Sequence, residues 1–331
     1  MTKYNILDYS PIDEGITSAD ALKQTTELAK LAEKLGYYRF WVAEHHNVLS
    51  VAGSSPEMLM MHLAANTETI KIGSGGVMLP HYSAYKVAEN FRMLSALHPE
   101  RIDLGIGRSP SYKAVFRALN KEKGKKQLYE DKIKELIDYF NDQDIENFKF
   151  GSLIATPVVP GPEMWMLGSS KNGAEIAADN GLNYSFAHFG NPDKGRESIE
   201  HYLNSFNENH ENKNPKIMVA TLAVIAATNE EAERLAQTLH LWMLFVEGTE
   251  QPMYLPSVET AVSRGFTGRE KEKIEKQKKR MVIGDAKSVA KQLKSLADTY
   301  KADEVTVIPN FYGSDNRIEG IKKLSEELNL T

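Results

Sequence analysis

The stretch Arg39–Asn47, RFWVAEHHN, begins as an apolar run and ends in an acid and two adjacent histidines. A short apolar run of this kind is typical of a strand buried inside a sheet. Strand alternation places Trp41, Ala43 and His45 on one face and turns His46 to another. The acid and the two histidines are therefore expected where a buried strand ends.

The same unit, a buried strand followed by an amphipathic helix, recurs along the chain. The strands expected are YNILDYS, YRFWVAEHH, IKIGSGGVMLP, RIDLGIG, MWMLGSS, NYSFAHF, KIMVATLAVIAAT and EVTVIPN. The first helix is expected to have Ser18 as its cap and to stop at Gly36. Eight such units predict a (β/α)8 TIM barrel, which typically takes about 250 residues.

The chain has 331 residues, so the excess over a typical barrel predicts insertions. They are expected near 141–161 and at 245–280. The second ends in GREKEKIEKQKKR, whose charges are typical of a solvated helix. The prediction is one domain, 1–331, with a lid or insertion at 245–280. An open doubly wound sheet is the alternative, but neither GSGGVM nor GIGRSP completes the glycine pattern of its dinucleotide-binding form.

Charge and composition narrow the function. The formal net charge is -5 and the pI is near 6.0, so no general attraction to nucleic acid or to anionic membranes is expected. With no cysteine, the chain has no disulfide, no thiolate metal site and no cysteine nucleophile. The start, MTKYNILDYSPIDEG, lacks a basic region followed by an apolar core, and no apolar run is long enough for a membrane span. We expect a cytoplasmic enzyme that acts on small molecules.

Unusual residues stand at the ends of four successive strands, where a barrel carries its catalytic groups. They are Glu44, His45 and His46 on the second strand, Ser74, Gly75 and Gly76 on the third, Gly107, Arg108 and Ser109 on the fourth, and Gly168, Ser169 and Ser170 on the fifth. Individually, these residues also fit a bulge, a surface ion pair or a helix cap. Their coincidence predicts one shared mouth.

These residue types predict a specific ligand chemistry. The sequence LGSSKNG places hydroxyls and free N–H groups at a helix start, which suits a phosphate, and Arg108 would add a charged contact. Gly75 and Gly76 would let a flat ring lie against the backbone. A phosphate cradle, a flat wall and a histidine indicate a mononucleotide with a planar head.

A metal-dependent hydrolase is the alternative from another enzyme class. Its ligands would come from Glu44, His45, His46, His62 and His81. The first strand, NILDYS, lacks the paired histidines that such barrels commonly carry there. No metal site is predicted.

The segments RFWVAEHHN, IKIGSGGVMLP, RIDLGIGRSP and MWMLGSSKNGAEIAADNGL together resemble the bacterial luciferase-like, flavin-dependent monooxygenases over nearly the whole chain. The branch it resembles most is the alkanal monooxygenase alpha-like one. The resemblance implies a TIM barrel that binds reduced FMN and reacts it with oxygen to oxidise an organic substrate. It also implies a separate NAD(P)H-dependent flavin reductase as partner, and a homodimer.

The resemblance implies roles for single residues. His45 matches the catalytic histidine, and Ser74, Gly75 and Gly76 match the segment behind the flavin ring, where the family can hold a non-proline cis peptide. Arg108 matches a phosphate-binding arginine, and Ser169, Ser170 and Gly173 match the phosphate loop, beside Gly168. A neutral His45 can exchange a proton at the flavin, and Glu44 is expected to fix its tautomer.

Two departures from the family pattern bear on function. Gly107 stands where luciferase itself has a cysteine, and GRSPSYK, which brings Tyr112 and Lys113, replaces a GRAPG-like loop. Light emission is not expected. A deazaflavin-dependent hydride-transfer enzyme and a non-catalytic flavin-binding barrel remain open. An aldehyde, a thioether, a sulfonate or a secondary metabolite all remain open as substrate.

Overall fold

The computed structural model describes residues 2–109, 111–120, 127–141, 153–206, 210, 212–248 and 250–330. Most of the expected insertion near 141–161 lies outside these residues. The strands are β1 (Lys3–Asp8), β2 (Arg39–Val42), β3 (Lys71–Met78), β4 (Ile102–Gly107), β5 (Glu163–Gly168), β6 (Asn183–Ala187), β7 (Ile217–Ala226), β8 (Met281–Asp285) and β9 (Glu304–Ile308).

The helices alternate with these strands. They are α1 (Ser18–Lys34), α2 (Pro56–Ala65), α3 (Ala84–Leu97), α4 (Lys113–Asn120), α5 (Tyr129–Asn141), α6 (Lys171–Asp179), α7 (Gly195–Ser205), α8 (Asn229–Val246), α9 (Val258–Arg264), α10 (Gly268–Lys278), α11 (Ala286–Tyr300) and α12 (Ser314–Leu328). Short 3-10 turns cover Leu79–His81 and Pro192–Lys194.

Eight parallel strands close into a barrel. Strands β1 to β7 pair in sequence order, and β9 joins β7 to β1. After each barrel strand, at least one helix leads the chain back to the start of the next strand. This is why the strand–helix unit repeats in the sequence. The (β/α)8 prediction is confirmed.

A ninth strand, β8, was not predicted. It pairs with Leu222–Ala226 of β7, whereas β9 pairs with Met218–Leu222 of the same strand. Strand β7 has ten residues, all buried, and is therefore long enough to hold a second partner beyond the barrel rim. The signal in the sequence was the length of KIMVATLAVIAAT, because typical strands are only about five or six residues long.

Strand alternation divides the apolar side chains into two clusters. Phe40 and Val42 of β2 belong to the cluster shared with the surrounding helices, whereas Trp41 and Ala43 belong to the cluster inside the barrel. The inner cluster continues into Trp242, Met243, Leu255 and Val258. The part of the chain around 242–258 therefore packs on the barrel interior.

A buried charge cluster fills the amino end of the barrel. The Arg39 guanidinium is fully buried, and its nitrogens lie 2.5 Å from Asp103 Oδ1 and 2.8 Å from Glu304 Oε2. Its third partner is Glu163, which Lys216 also contacts. Burial raises the pKa of Glu163, but Arg39 and the two neighbouring lysines outweigh it and hold the value at about 2. Among the described residues, ion pairs fill this end of the barrel, which favours the carboxyl end as the place where a ligand binds.

Helix boundaries agree closely with the sequence signals. Gly36 has a φ of 78° just after α1, as expected of a helix stop. The predicted cap is wrong by one residue: Thr17, not Ser18, caps α1, because its side chain and that of Asp20 form a reciprocal capping box. The charged segment expected to be a solvated helix is α10, with its own capping box from Thr267 and Glu270. No helix within the described ranges is long and apolar enough to cross a membrane.

Candidate active site

The four predicted clusters lie at the carboxyl ends of four adjacent strands. Strands β2, β3, β4 and β5 are neighbours in the barrel in that order. Because parallel strands end at the same rim, the residues after β2, near the end of β3, after β4 and after β5 share one mouth. The expectation of a common mouth is met by the geometry.

His45 faces the barrel interior. Its ring meets the edge of Tyr9, with centroids 4.9 Å apart, and its backbone N–H donates to Gly53 O at 2.8 Å. The Nδ1 atom is enclosed and has no hydrogen-bond partner among the described residues. Burial, helped by the neighbouring His46, lowers the pKa of His45 to about 4. The imidazole is therefore neutral at pH 7.

Glu44 does not contact His45, so the expectation that it fixes the tautomer of His45 is wrong. Its Oε1 lies 2.6 Å from His46 Nε2 and accepts a hydrogen bond from the Tyr82 hydroxyl at 2.6 Å, while Oε2 accepts from Met78 N–H at 2.8 Å. Residues 44 and 46 lie on one side of an extended chain, so alternation itself explains the pairing. The carboxylate orients His46 instead.

Tyr82 is a member of this cluster that sequence reasoning missed. Burial, together with the hydrogen bond to Glu44, raises the pKa of Tyr82. Its position follows from the turn after β3, where Lys132 of α5 donates to the carbonyl oxygens of Pro80 and Tyr82. The only sequence signal was its place just beyond a predicted strand end.

Gly75 and Gly76 are required by the packing of the barrel itself. The peptide bond between them is cis. A Cβ on Gly75 would lie 2.7 Å from Leu7 Cδ1, and one on Gly76 would lie 2.6 Å from the carbonyl oxygen of Gly105. The Ser74 hydroxyl bonds the backbone of Gly105 and is fully buried. Ser74 thus builds the wall, and only the backbone of this segment is available to a ligand.

Gly107 differs from these glycines, because a Cβ there would find its nearest atom, Val77 O, at 3.5 Å. An added methyl group would therefore make only ordinary van der Waals contacts with the protein. Among the predicted glycines on β3 and β4, Gly107 is the one whose missing side chain the barrel does not explain. It leaves room beside the wall for a planar group.

The residues predicted to bind a phosphate lie together at the start of α6. The Arg108 guanidinium donates to Asn172 Oδ1, so the exposed arginine lies over the first turn of this helix. Gly168 and Gly173 meet closely, since a Cβ on either would lie 3.3 Å from the Cα of the other. The side chain of Ser170 at the N-cap makes no capping bond. The first N–H groups of a helix, serine hydroxyls and a guanidinium are groups that suit a phosphate.

The five residues considered as metal ligands are not gathered at one point. Nε2 of His62 lies 3.2 Å from Thr26 Oγ1, and His81 Nε2 accepts a hydrogen bond from Ser111 N–H. Within the residues that the structure describes, no group of three histidines and carboxylates is close enough to hold a metal ion.

The end of α8 and the residues between α8 and β8 contact the loops of the mouth at a few points. Trp242 Nε1 donates to Ser50 Oγ at 2.8 Å, and Leu255 exchanges backbone hydrogen bonds with Ile12 and Glu14 beyond β1. Arg280 donates to Phe189 O beyond β6. Three other aromatic side chains of this region do not contact the described residues of the mouth: Tyr254 is exposed, Phe245 packs against Arg264, and Phe266 lines a cavity of about 650 Å³ between α8 and α10.

Comparisons with known proteins agree with this geometry. The family model described as luciferase-like monooxygenase matches residues 3–301. The chain is 36% identical to the N-acetyl-S-alkylcysteine monooxygenase of Bacillus subtilis, covering 99% of this chain and 97% of that protein. It is 31% identical to a luciferase-like monooxygenase of Escherichia coli, over 96% and 95%.

A solved structure extends the likeness to three dimensions. The crystal structure of apo-MsnO8 superposes with a TM-score of 0.92 and 35% identity, covering 100% of this chain and 99% of that one. The resemblance found in the strand-end motifs is confirmed. The chain belongs to the luciferase-like monooxygenase family.

Proposed function

We propose that the protein is an FMN-dependent monooxygenase that uses reduced FMN and molecular oxygen to oxidise a small organic substrate. One observation carries this proposal: Arg108 lies on the first turn of α6, where Gly168 and Gly173 meet, at the same mouth as a neutral His45. A phosphate held there would leave a planar head beside Gly107 and the backbone of Gly75 and Gly76. Membership of the family supports the same cofactor.

Each residue then has a defined task. Arg108, Ser169, Ser170 and the N–H groups of α6 bind the phosphate. Reduced FMN would supply the two electrons needed to place one atom of oxygen in the substrate and the other in water. His45, oriented by the edge of Tyr9, exchanges a proton at the reacting face. Burial keeps the His45 ring neutral at pH 7, so one of its ring nitrogens has a lone pair that can accept a hydrogen bond.

The binding test separates the phosphate from the ring. Under anaerobic reduction, Arg108→Ala should weaken FMN binding by about 1.5–3 kcal/mol, the range for a hydrogen bond to a charged group, while riboflavin is much less affected. Arg234→Ala, an exposed arginine on α8, is the matched control and should bind both flavins as the wild type does. Equal losses for FMN and riboflavin would remove Arg108 from the phosphate site.

Outcomes of the same titration separate the alternatives. Binding of a deazaflavin in preference to FMN would favour hydride transfer. Tight FMN binding with no oxygen consumption would favour a non-catalytic flavin-binding barrel. No binding of reduced FMN below roughly millimolar would overturn the proposed function.

For the substrate, we propose a thioether, because a relative 36% identical over nearly its whole length is named for N-acetyl-S-alkylcysteines. The reaction would convert reduced FMN, oxygen and a thioether into FMN, water and a sulfoxide. N-acetyl-S-methylcysteine is the first compound to test, with an alkanal and an alkanesulfonate as comparison substrates. Oxygen consumed per product formed is the measurement.

The architecture supports three further proposals. The segment 245–280 acts as a lid on a single domain, since its Leu255 and Val258 join the cluster inside the barrel. A separate NAD(P)H-dependent reductase supplies the flavin, since no complete dinucleotide fingerprint occurs in the glycine-rich loops.

The third proposal is a homodimer through α2 and α3. These helices expose Met58, Met93 and Leu97, with 74%, 48% and 59% of their surfaces accessible. Light scattering of the wild type and of Met58→Asp tests this pairing.

A further inference from the structure

Asn310 has a buried side-chain amide that forms no hydrogen bond with the described residues. It follows the carboxyl end of β9 and only 2% of its surface is exposed. Both its Oδ1 and its Nδ2 are enclosed without a hydrogen-bond partner in the described parts of the chain. Burying an amide with neither end paired costs folding free energy, so native structures rarely keep one without a reason.

The loop that holds Asn310 is otherwise fully tied down. Phe311 O accepts a hydrogen bond from Arg317 Nη1 at 2.7 Å, and Arg317 also pairs with Asp13. The next two N–H groups donate to Thr238 Oγ1 and to Asp13 Oδ2, both at 3.2 Å. These bonds hold the loop directly after Asn310, so its amide is kept in one fixed position.

The position of β9 places this amide on the substrate side of the mouth. Strand β9 lies between β7 and β1 and is four strands away from β4, which carries Gly107 and Arg108. In an eight-stranded barrel, strands four apart face each other across the opening. Asn310 therefore stands opposite the proposed cofactor wall, and its strand is the direct neighbour of β1, which leads to Tyr9.

The nearby residues along the chain are apolar. Ile308 and Phe311 belong to the cluster inside the barrel, which also includes Tyr9, Trp242 and Leu255. A molecule bound here would lie mostly against hydrocarbon and would meet one amide. Such a site selects strongly, because an analogue without the matching polar group leaves buried atoms unpaired.

We propose that Asn310 is a specificity-determining residue that binds a secondary amide of the substrate, which deepens the proposed function and rests on it. An asparagine side chain offers an N–H donor and a carbonyl acceptor side by side. A secondary amide matches both groups, because its carbonyl oxygen accepts a hydrogen bond from Nδ2 and its N–H donates one to Oδ1. A carboxylate only accepts and would leave Oδ1 unpaired. An N-acylated thioether therefore fits better than the free amino acid.

The kinetic test compares N-acetyl-S-methylcysteine with S-methylcysteine. The wild type should prefer the acetylated compound, and Asn310→Leu should lower kcat/KM for it by about 10- to 100-fold, the worth of one buried hydrogen-bonded group, mainly through KM. S-methylcysteine should be little affected, and the affinity for reduced FMN unchanged. Asn310→Leu should also be at least as stable as the wild type, since it removes an unpaired amide.

Asn5→Ala is the matched control. Asn5 is the other barrel asparagine with an unpartnered Oδ1, but its Nδ2 bonds Glu304 at the closed end. Its replacement should lower stability and leave the preference for the acetylated compound intact. If Asn310→Leu instead lowers stability and keeps the wild-type preference, Asn310 is a structural residue and the proposal is overturned.

A second readout does not depend on turnover. In protein labelled with ¹⁵N-asparagine, the side-chain resonance that Asn310→Leu removes should shift when N-methylacetamide is added. No shift of that resonance at concentrations of about 100 mM, well above a millimolar-range dissociation constant, overturns the assignment. Loss of reduced-FMN binding would instead count against the proposed function and leave this resonance test standing.

Discussion

Oε1 of Glu44 lies 2.6 Å from Nε2 of His46, and the same carboxylate accepts the Tyr82 hydroxyl. The two adjacent histidines therefore have different surroundings. His46 belongs to a hydrogen-bonded cluster on the helix side of β2, while His45 packs on Tyr9 at the mouth of the barrel.

This division predicts different effects of replacing each histidine. His45→Ala should leave folding and reduced-flavin binding nearly intact and lower substrate oxygenation by about 10²- to 10⁴-fold, the usual worth of a positioned acid or base. Hydrogen peroxide should then replace product. His46→Ala should affect stability more than chemistry. Product and peroxide per flavin oxidised are the measurements, and the reverse pattern would exchange the two assignments.

Replacing the shared carboxylate should affect stability. Glu44→Gln puts an amide where three donors converge, and leaving buried donors unpaired costs about 1–3 kcal/mol. In a double-mutant cycle with Tyr82→Phe, urea unfolding should show coupling of roughly 0.5–3 kcal/mol, as expected for residues in one network. Additive losses would mean that Tyr82 and Glu44 do not depend on each other.

Stability should fall as the solution becomes mildly acidic. Burial lowers the pKa of His45 and of His240 to about 4, whereas an unfolded histidine titrates near 6.5. Above pH 6.5 neither state binds the proton. Between about 6.5 and 4 only the unfolded state does, so the stability from these neutral rings is present at pH 7 and is lost as the pH falls.

Urea unfolding at pH 7.0 and 5.5 measures this dependence. His240→Leu should flatten it, because both ring nitrogens of His240 are buried without partners in the described residues and an apolar side chain removes the titration. A wild-type stability equal at the two pH values would contradict the assignment.

The charge cluster at the closed end of the barrel should depend on Arg39. Arg39→Met leaves the buried Asp103 and Glu304 without their cation and should cost about 3–5 kcal/mol. Lys216→Met is the matched control: this lysine is 38% exposed on its side chain and shares Glu163 with other cations, so its loss should cost at most about 1 kcal/mol. Similar losses for both variants would contradict a special role of burial.

Two glycines of β4 offer a paired test of wall and pocket. A Cβ on Gly105 would overlap the carbonyl oxygen of Ser74, whereas one on Gly107 meets nothing closer than 3.5 Å. Gly105→Ala should therefore lose about 1–3 kcal/mol of stability, as overpacking does. Gly107→Ala should fold like the wild type but bind reduced FMN more weakly. Thermal unfolding and flavin titration measure the two effects, and unaltered flavin affinity in Gly107→Ala would move the ring away from this strand.

The sequence by itself determined the barrel, the shared mouth and the direction of His45. Each rests on local periodicity: eight strand–helix units, polar residues at successive strand ends, and alternation from Trp41 to His45. Such patterns are written within a few neighbouring residues, and parallel strands must bring their ends to one rim. The position of the glycine and serines before α6 could be predicted for the same reason, because they directly follow a predicted strand.

Only the tertiary structure decided which groups meet across the chain. Glu44 is hydrogen-bonded to Tyr82, Arg108 is hydrogen-bonded to Asn172, and β8 pairs with the far end of β7. Each contact depends on packing that no local pattern encodes. The unused amide of Asn310 was likewise invisible in sequence, because whether a polar group is paired depends on every element that surrounds it. Periodicity fixes where a side chain points, and only the folded barrel fixes what it meets there.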